Sequence, residues 1–163
     1  MSDNCDMDIS DIAKYSDVFY IGGTKVGALF GEAVVITDKE LLKNFRYCIK
    51  QRGGLLAKGR LLGIQFEELF SNDLYFNISK HAVDMAMMIK ESLKSKGYNF
   101  LYDSNTNQQF PIFPNDVLEK LSKKYVFSFW EKVDEKNSAV RICTSYATKL
   151  KDVHELIQDI ENL

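Results

Sequence analysis

Two short apolar runs near the start of the chain constrain its fold most. They cover residues 18–21 (VFYI) and 33–36 (AVVI) and are rich in β-branched side chains. Neither run alternates polar and apolar residues, a pattern that predicts strands covered on both faces. Two strands cannot build such a sheet by themselves. We therefore expect the rest of the sheet to come from another molecule or from sequence preceding this chain.

The spacing of apolar residues predicts the remaining elements. Helices are expected over residues 8–15, from 39 to a stop before Gly53, over 58–70, and as a long helix over 74–93 that ends before Gly97. After Gly97 the pattern predicts strands at 110–113, 126–133 and 139–144, and helices at 115–124 and 153–160. This second part is typical of a small α+β unit with an antiparallel sheet covered by helices.

Composition excludes several classes of function. The 163 residues carry 21 basic and 23 acidic side chains, mixed along the chain for a net charge of -2, without the basic block that a nucleic-acid partner requires. Cys5, Cys48 and Cys143 are too dispersed for a zinc site or a disulfide framework. No run is long enough to span a bilayer, and the polar start lacks a leader pattern. We expect a soluble cytoplasmic protein without a bound metal and without nucleic-acid or membrane partners.

A lysine lies in the tight turn between the two apolar runs. Residues 17–28 read DVFYIGGTKVGA, so glycines flank Thr24 and Lys25. A lysine amine taken out of water loses its proton more easily and can then attack an aldehyde. The glycines would admit a flat cofactor, and Thr24 offers a hydroxyl to a phosphate. A glycine-rich turn with a solvated lysine explains the spacing equally well, whereas the GxxxxGK[ST] order of a phosphate loop is absent.

Four segments in order resemble the threonine aldolase family, pyridoxal-phosphate lyases related in fold to the aminotransferases. They are DVFYIGGTKVGALFGEAVVI (17–36), QRGGLLAKGRLLGIQFEELF (51–70), TNQQFPIFPNDVLEKL (106–121) and FSFWEKVDEKNSAVRICTSYAT (127–148). The resemblance implies the α/β fold of pyridoxal-phosphate-dependent transferases, of which this chain would be the C-terminal half. Residues 1–97 would be the end of the large cofactor-binding domain with a connecting helix. Residues 98–163 would be the small α+β C-terminal domain.

The resemblance also implies a reaction and a site. Lys25 would carry pyridoxal 5'-phosphate as a Schiff base, with Thr24 and Lys50 near the cofactor. Arg141, expected to project from its strand opposite to Val140 and Ile142, would bind the carboxylate of an amino-acid substrate. The implied activity is a carbon–carbon lyase that cleaves β-hydroxy amino acids such as threonine into glycine and an aldehyde.

Two other interpretations stay open at this point. The chain could be a truncated, catalytically inactive fragment with a structural or oligomerisation role. It could also serve another reaction of the same cofactor, such as transamination, because this cofactor supports many outcomes. The family further implies a homo-oligomer, a dimer or a tetramer, with active sites at subunit interfaces.

Overall fold

The computed structural model describes residues 6–163, so Cys5 lies outside the described residues. The chain divides into two compact units, the first ending at Ser79 and the second beginning at Lys80. The domain boundary expected after residue 97 refers to the domains of the family and stays a prediction. None of the helices in residues 6–163 has the length and apolar character needed to cross a bilayer.

The first unit opens with a short capped helix, α1 (Ile9–Tyr15). The Asp8 carboxylate accepts hydrogen bonds from the backbone N–H groups of Ser10 and Asp11, and the Asp11 side chain accepts one from the Asp8 N–H. This reciprocal pair satisfies N–H groups that have no partner inside the helix. Hydrogen bonds from Ser10 and Asp11 also hold the pKa of Asp8 below its usual value. The aspartate-capped helix predicted from the sequence is confirmed.

The two apolar runs form β1 (Val18–Gly22) and β2 (Glu32–Ile36), an antiparallel pair in which Phe19 lies opposite Val35. Phe19 and Val35 are half-buried, whereas Tyr20 on the opposite face is 71% exposed. Within the described residues the pair is covered on one face only, and the cover of the other face, expected from outside this chain, stays a prediction. Successive side chains of a strand point to opposite faces, and this unit supplies cover for only one of them.

Two helices follow, α2 (Phe45–Gln51) and α3 (Arg60–Phe70). The second agrees with the sequence pattern, but α2 begins later than the predicted start at residue 39. Asn44 takes a left-handed backbone conformation (φ 61°), which ends the preceding run of turns before the helix can begin. Asparagine tolerates this conformation better than most side chains.

The long helix predicted from its apolar stripe is confirmed as α4 (Leu74–Ser95). It follows a short 3-10 turn, Ser71–Asp73. At its other end Gly97 adopts a left-handed conformation (φ 80°), and the Tyr98 N–H donates to the Leu93 carbonyl. A glycine in this conformation lets the chain turn back and satisfy the last carbonyls of the helix.

The second unit contains an antiparallel sheet organised around one strand. That strand pairs antiparallel with each of the three others, as expected for the α+β arrangement. The Asp134 carboxylate accepts from the backbone N–H groups of Lys136 and Asn137 and so closes the predicted polar turn. The elements are β3 (Gln108–Gln109), β4 (Ile112–Pro114), α5 (Asn115–Leu121), β5 (Ser128–Lys132), the central β6 (Asn137–Cys143) and α6 (Leu150–Glu161).

The core of the second unit joins α4, the sheet, α5 and α6. Helical spacing places buried residues of α4 on one face, and alternation along β6 turns Val140 and Ile142 inward. Leu93 and Phe113 are fully enclosed. The buried cluster comprises Met85, Ile89, Leu93, Phe113, Leu121, Val140, Ile142, Val153, Leu156 and Ile160.

A buried lysine of α4 holds the loop that precedes the sheet. The Lys90 ammonium donates to the Ser104 carbonyl at 2.6 Å and to the Asn105 side chain at 3.2 Å, and it pairs with Asp103 at 2.8 Å. These partners compensate the cost of removing a charge from water. Hydrogen bonds from Lys90 and Lys94 hold the pKa of Asp103 below its usual value. Lys90 is thus accounted for as a structural group.

An ion-pair cluster joins the end of α5 to α6. The Lys124 ammonium lies 2.6 Å from carboxylate oxygens of both Asp159 and Glu155. The Tyr125 hydroxyl donates a further hydrogen bond to Asp159. The hydrogen bonds from Lys124 and Tyr125 hold the pKa of Asp159 below its usual value, and those with Asp159 and Glu155 raise the pKa of Lys124.

This cluster predicts a pH-dependent contribution to stability. Because the pKa of Asp159 is lower in the folded chain than in the unfolded one, its contribution is complete above the unfolded pKa and is lost as pH falls through the folded pKa. We expect Asp159→Asn to lower the free energy of unfolding at neutral pH, by an amount that shrinks below about pH 4. Urea unfolding followed by Trp130 fluorescence measures the difference. Glu119→Gln is the control, and a pH-independent loss in Asp159→Asn would contradict the assignment.

Candidate functional site

Lys25 lies on a single 3-10 turn, Thr24–Val26, between two glycines. The Gly23 carbonyl accepts from the N–H groups of both Val26 and Ala28 at 3.0 Å. Gly27 closes the turn in a left-handed conformation (φ 106°), which a residue with a side chain rarely adopts. The side chains of Thr24 and Lys25 are exposed, and neither makes a hydrogen bond or ion pair with the described residues. The turn therefore fixes the backbone of Lys25 and leaves its amine available.

The segment that carries this turn rests on α3. Gly23 is buried, and a Cβ atom placed on it would lie 3.0 Å from the Phe66 ring. Farther along, the Leu29 N–H donates to the Gln65 side-chain oxygen at 2.6 Å. Gly31 contacts Leu62 so closely that a Cβ atom there would overlap that side chain. Three points of contact thus hold residues 23–31 against one helix.

A tyrosine supports the end of β1 that leads into the turn. The Tyr75 hydroxyl donates to the Gly22 carbonyl at 3.1 Å. The Tyr75 ring stacks on Phe70 with 5.0 Å between centroids, and burial raises the pKa of its hydroxyl. Tyr75 therefore acts as a hydrogen-bond donor to the backbone. An apolar groove of about 180 Å³ lies beside it, lined in part by Phe19, Ile21 and Phe76.

Lys50 lies in the last turn of α2 with its side chain exposed. A cation at this end of a helix is favoured by the helix dipole. No hydrogen bond or ion pair joins the Lys50 ammonium to the rest of the described chain, so nothing among those contacts ties it to the Lys25 turn. A nearby open groove is lined by Glu32, Cys48 and Arg52, among others.

Arg141 lies in the second unit on β6 and points away from the core, as predicted from its buried neighbours Val140 and Ile142. Its guanidinium carbon is 5.7 Å from the centre of the Trp130 ring, an arrangement that holds a cation over an aromatic face. The Arg141 Nε is buried and has no hydrogen-bond partner among the described residues. A guanidinium group held over an aromatic ring keeps its planar set of N–H donors, which matches the geometry of a carboxylate.

The structure brings together some of the predicted residues and adds others. Thr24 and Lys25 share one turn, whereas Lys50 lies on a separate helix and Arg141 belongs to the second unit. The sequence analysis did not anticipate that Leu62, Gln65, Phe66 and Tyr75 support the turn. The only sequence pattern that could have indicated them is the helical spacing of residues 62, 65 and 66, which places them on one face of α3. That spacing does not reveal which segment of the chain this face contacts.

Comparisons with known proteins support the resemblance. No protein-family model matches the chain. Low specificity L-threonine aldolases from Pseudomonas aeruginosa and from a Pseudomonas species are each 28% identical over 145 residues, which are 88% of this chain and 41% of the relative. The structure of Leishmania major threonine aldolase is 39% identical, with a TM-score of 0.88, over 96% of this chain and 46% of that protein.

The chain thus spans less than half the length of these relatives. The match nevertheless includes almost all of this chain. Sequence and structure agree, since the Leishmania protein resembles this chain both in sequence and in fold. The resemblance seen in the four sequence segments is confirmed, and the chain is related to the threonine aldolase family over part of that family's length.

Proposed function

We propose that this chain is the lysine-bearing part of a pyridoxal-phosphate-dependent lyase that cleaves threonine or a similar β-hydroxy amino acid. The observation that carries the proposal is the Lys25 amine on a glycine-closed turn, exposed and without a partner among residues 6–163. The chain around it matches threonine aldolases over 88% or more of its own residues. The products would be glycine and an aldehyde.

The residues of the Lys25 turn fit the cofactor chemically. Lys25 offers an exposed primary amine, which can form a covalent bond to an aldehyde carbon with loss of water. Thr24 offers a hydroxyl hydrogen bond to a phosphate, and Lys50 offers a positive charge. When bound, pyridoxal phosphate supplies an electron sink for the pair released by the breaking Cα–Cβ bond.

Arg141 would orient the substrate. Its guanidinium group can donate parallel hydrogen bonds to an α-carboxylate, and its contact with Trp130 limits the directions it can take. A fixed carboxylate determines which bond at Cα is aligned for cleavage.

We propose further that the protein acts in the cytoplasm and as a homo-oligomer. Turnover would require the parts of the fold that the relatives have and this chain does not span, so the chain alone should cleave threonine slowly or not at all. Two measurements distinguish the alternatives. If the chain has only an inactive role in assembly, pyridoxal phosphate should attach to Lys25 no more readily than to other exposed lysines. If the reaction is transamination, the product should be a keto acid and not an aldehyde.

The first prediction concerns the identity of the attached lysine. Incubation of the chain with pyridoxal 5'-phosphate, borohydride reduction and peptide mapping should place the adduct on Lys25. We expect Lys25→Arg to remove this adduct while keeping the positive charge, and Lys50→Ala to retain it. An adduct that persists unchanged in Lys25→Arg would refute the assignment.

A second prediction uses Trp130, the one tryptophan of the chain, as a reporter of Arg141. Binding of a carboxylate to the guanidinium group should change Trp130 fluorescence on titration with threonine, but not with threoninol, which lacks the carboxylate. Arg141→Leu should weaken the response by about tenfold or more, since hydrogen bonds to charged groups contribute roughly 1.5–3 kcal/mol. Arg46→Leu is the matched control, and an equal response to threoninol would count against the proposed role.

A third prediction concerns assembly. The exposed face of β1 and β2 carries Tyr20 and Val34, which are 71% and 54% exposed. Apolar surface of this kind favours association. Light scattering should show an oligomer that Tyr20→Lys combined with Val34→Lys dissociates, while Tyr146→Lys in the second unit has no effect. A monomer at high concentration would exclude the proposed assembly.

A further inference from the structure

We propose that one face of α3, formed by Leu62, Gln65 and Phe66, positions Lys25, and that Gln65 is the positioning residue on this face. The inference rests on the proposed role of Lys25 and extends it to a helix that does not carry the lysine. No part of it requires α3 to touch a cofactor or a substrate.

The three residues form one surface because of helical spacing. Side chains three and four positions apart lie on the same side of a helix, so residues 62, 65 and 66 are neighbours in space. Leu69, three positions beyond Phe66, continues this side and is buried. By contrast Ile64 and Glu68 are exposed. The surface is thus the inward side of α3.

Each member of the surface contacts a different point of the segment 23–31. Phe66 packs against Gly23, and Leu62 packs against Gly31. Glycine permits both close approaches, because a Cβ atom at either position would force the facing side chain to move. The Lys25 turn precedes the second of these contacts and follows the first, so both ends of its segment lie against α3.

Gln65 supplies the polar contact between the two apolar ones. Its side-chain oxygen accepts from the Leu29 N–H at 2.6 Å, and its amide nitrogen donates to the Leu61 carbonyl at 2.7 Å. The second bond fixes the side chain on its own helix, so that the first can hold the segment. The Leu29 side chain is 84% exposed and contributes little packing of its own. The backbone bond to Gln65 is therefore what keeps this part of the segment on α3.

The consequence for Lys25 is that its backbone is held in place while its side-chain ammonium group stays free of contacts with the described residues. Contacts at residues 23, 29 and 31 restrain the turn, while the Lys25 ammonium has no partner among the described residues. Restraint of a reacting group before it reacts lowers the entropic cost of reaching the productive geometry. Gln65 acts on Lys25 through the Leu29 backbone and not by direct contact.

The central experiment compares Gln65→Leu, Gln65→Glu and the control Glu68→Leu in the full 163-residue chain. Amide hydrogen exchange at Leu29 reports the bond directly and needs no cofactor. Loss of one such bond should accelerate exchange roughly fivefold to tenfold in Gln65→Leu. Gln65→Glu keeps the acceptor oxygen but loses the N–H donated to the Leu61 carbonyl, so it should restore only part of the protection. Glu68→Leu should behave as the wild type.

The second readout is the preference of pyridoxal 5'-phosphate for Lys25 over the exposed Lys123, measured after borohydride reduction. We expect Gln65→Leu to lose this preference and Gln65→Glu, which keeps the acceptor oxygen alone, to recover part of it. Circular dichroism and the Trp130 unfolding curve establish that each variant is folded.

A steric pair of variants tests the same inference without changing α3. Gly23→Ala introduces a Cβ atom 2.8 Å from the Ala28 Cβ and 3.0 Å from the Phe66 ring, so it should displace the turn and accelerate exchange at Ala28. Gly22→Ala is the neighbouring control, since its nearest contact would be the Glu32 side chain at 4.0 Å. This control should leave exchange unchanged.

The outcomes separate this inference from the proposed function. Unchanged exchange at Leu29 in Gln65→Leu overturns the inference, as does accelerated exchange with an unchanged preference for Lys25. If the wild-type chain shows no preference for Lys25, the proposed function fails. Exchange at Leu29 in the Gln65 variants then decides alone whether α3 holds the segment. Accelerated exchange with loss of the preference in Gln65→Leu, and an intermediate result for both readouts in Gln65→Glu, supports the inference.

Discussion

The packing of one apolar stripe of α4 within the second unit is the contact on which the core of that unit depends. Ile89 and Leu93 are four positions apart and almost fully buried. They enter a cluster with Phe113 of β4, Val140 of β6 and Ile160 of α6, so one helix face joins elements distant in sequence. Burial of several such side chains, each contributing roughly 1.5–3 kcal/mol, offsets the entropy lost in ordering the sheet.

The first unit is built under a different constraint. Among its described residues only a few apolar side chains, such as Ala28 and Leu69, are buried, while Tyr20, Leu29 and Ile64 remain exposed. Its order comes from caps, glycine turns and hydrogen bonds such as that between Tyr75 and the Gly22 carbonyl. Short-range contacts of this kind fix local geometry without enclosing a large core. The exposed apolar surface is what would be expected of a chain that matches less than half of its relatives' length.

The same design recurs at both candidate site residues. Lys25 and Arg141 each have a restrained backbone, the first on a glycine-closed turn and the second on the central strand beside Trp130. Among the described residues the Lys25 amine and the Arg141 Nε have no hydrogen-bond partner. Long cationic side chains lose much rotamer entropy when they are ordered. Fixing the backbone beforehand leaves only the outer bonds to be ordered by a ligand. In the first unit this restraint is supplied by α3, a helix that contributes no proposed ligand itself.

Elements with a strong local signal could be predicted from sequence. The spacing of apolar residues located α3 and α4, and Asp8 marked the start of α1, because these features depend on neighbours within one or two turns. The start of α2 could not be predicted, because the left-handed conformation of Asn44 breaks a pattern that is helical on spacing alone. Lys25 could be singled out from its glycines and from the family resemblance, but its exposure and lack of partners could not.

What sequence by itself determined was the set of local elements, the resemblance to threonine aldolases and the two cationic residues of interest. Only the tertiary structure decided that the β1–β2 pair is covered on a single face, and that Gly23, Leu29 and Gly31 meet α3. Those contacts join positions more than thirty residues apart, such as Leu29 and Gln65. A periodic pattern identifies the face of a helix that will be buried, but the partner of that face is set by how the whole chain packs.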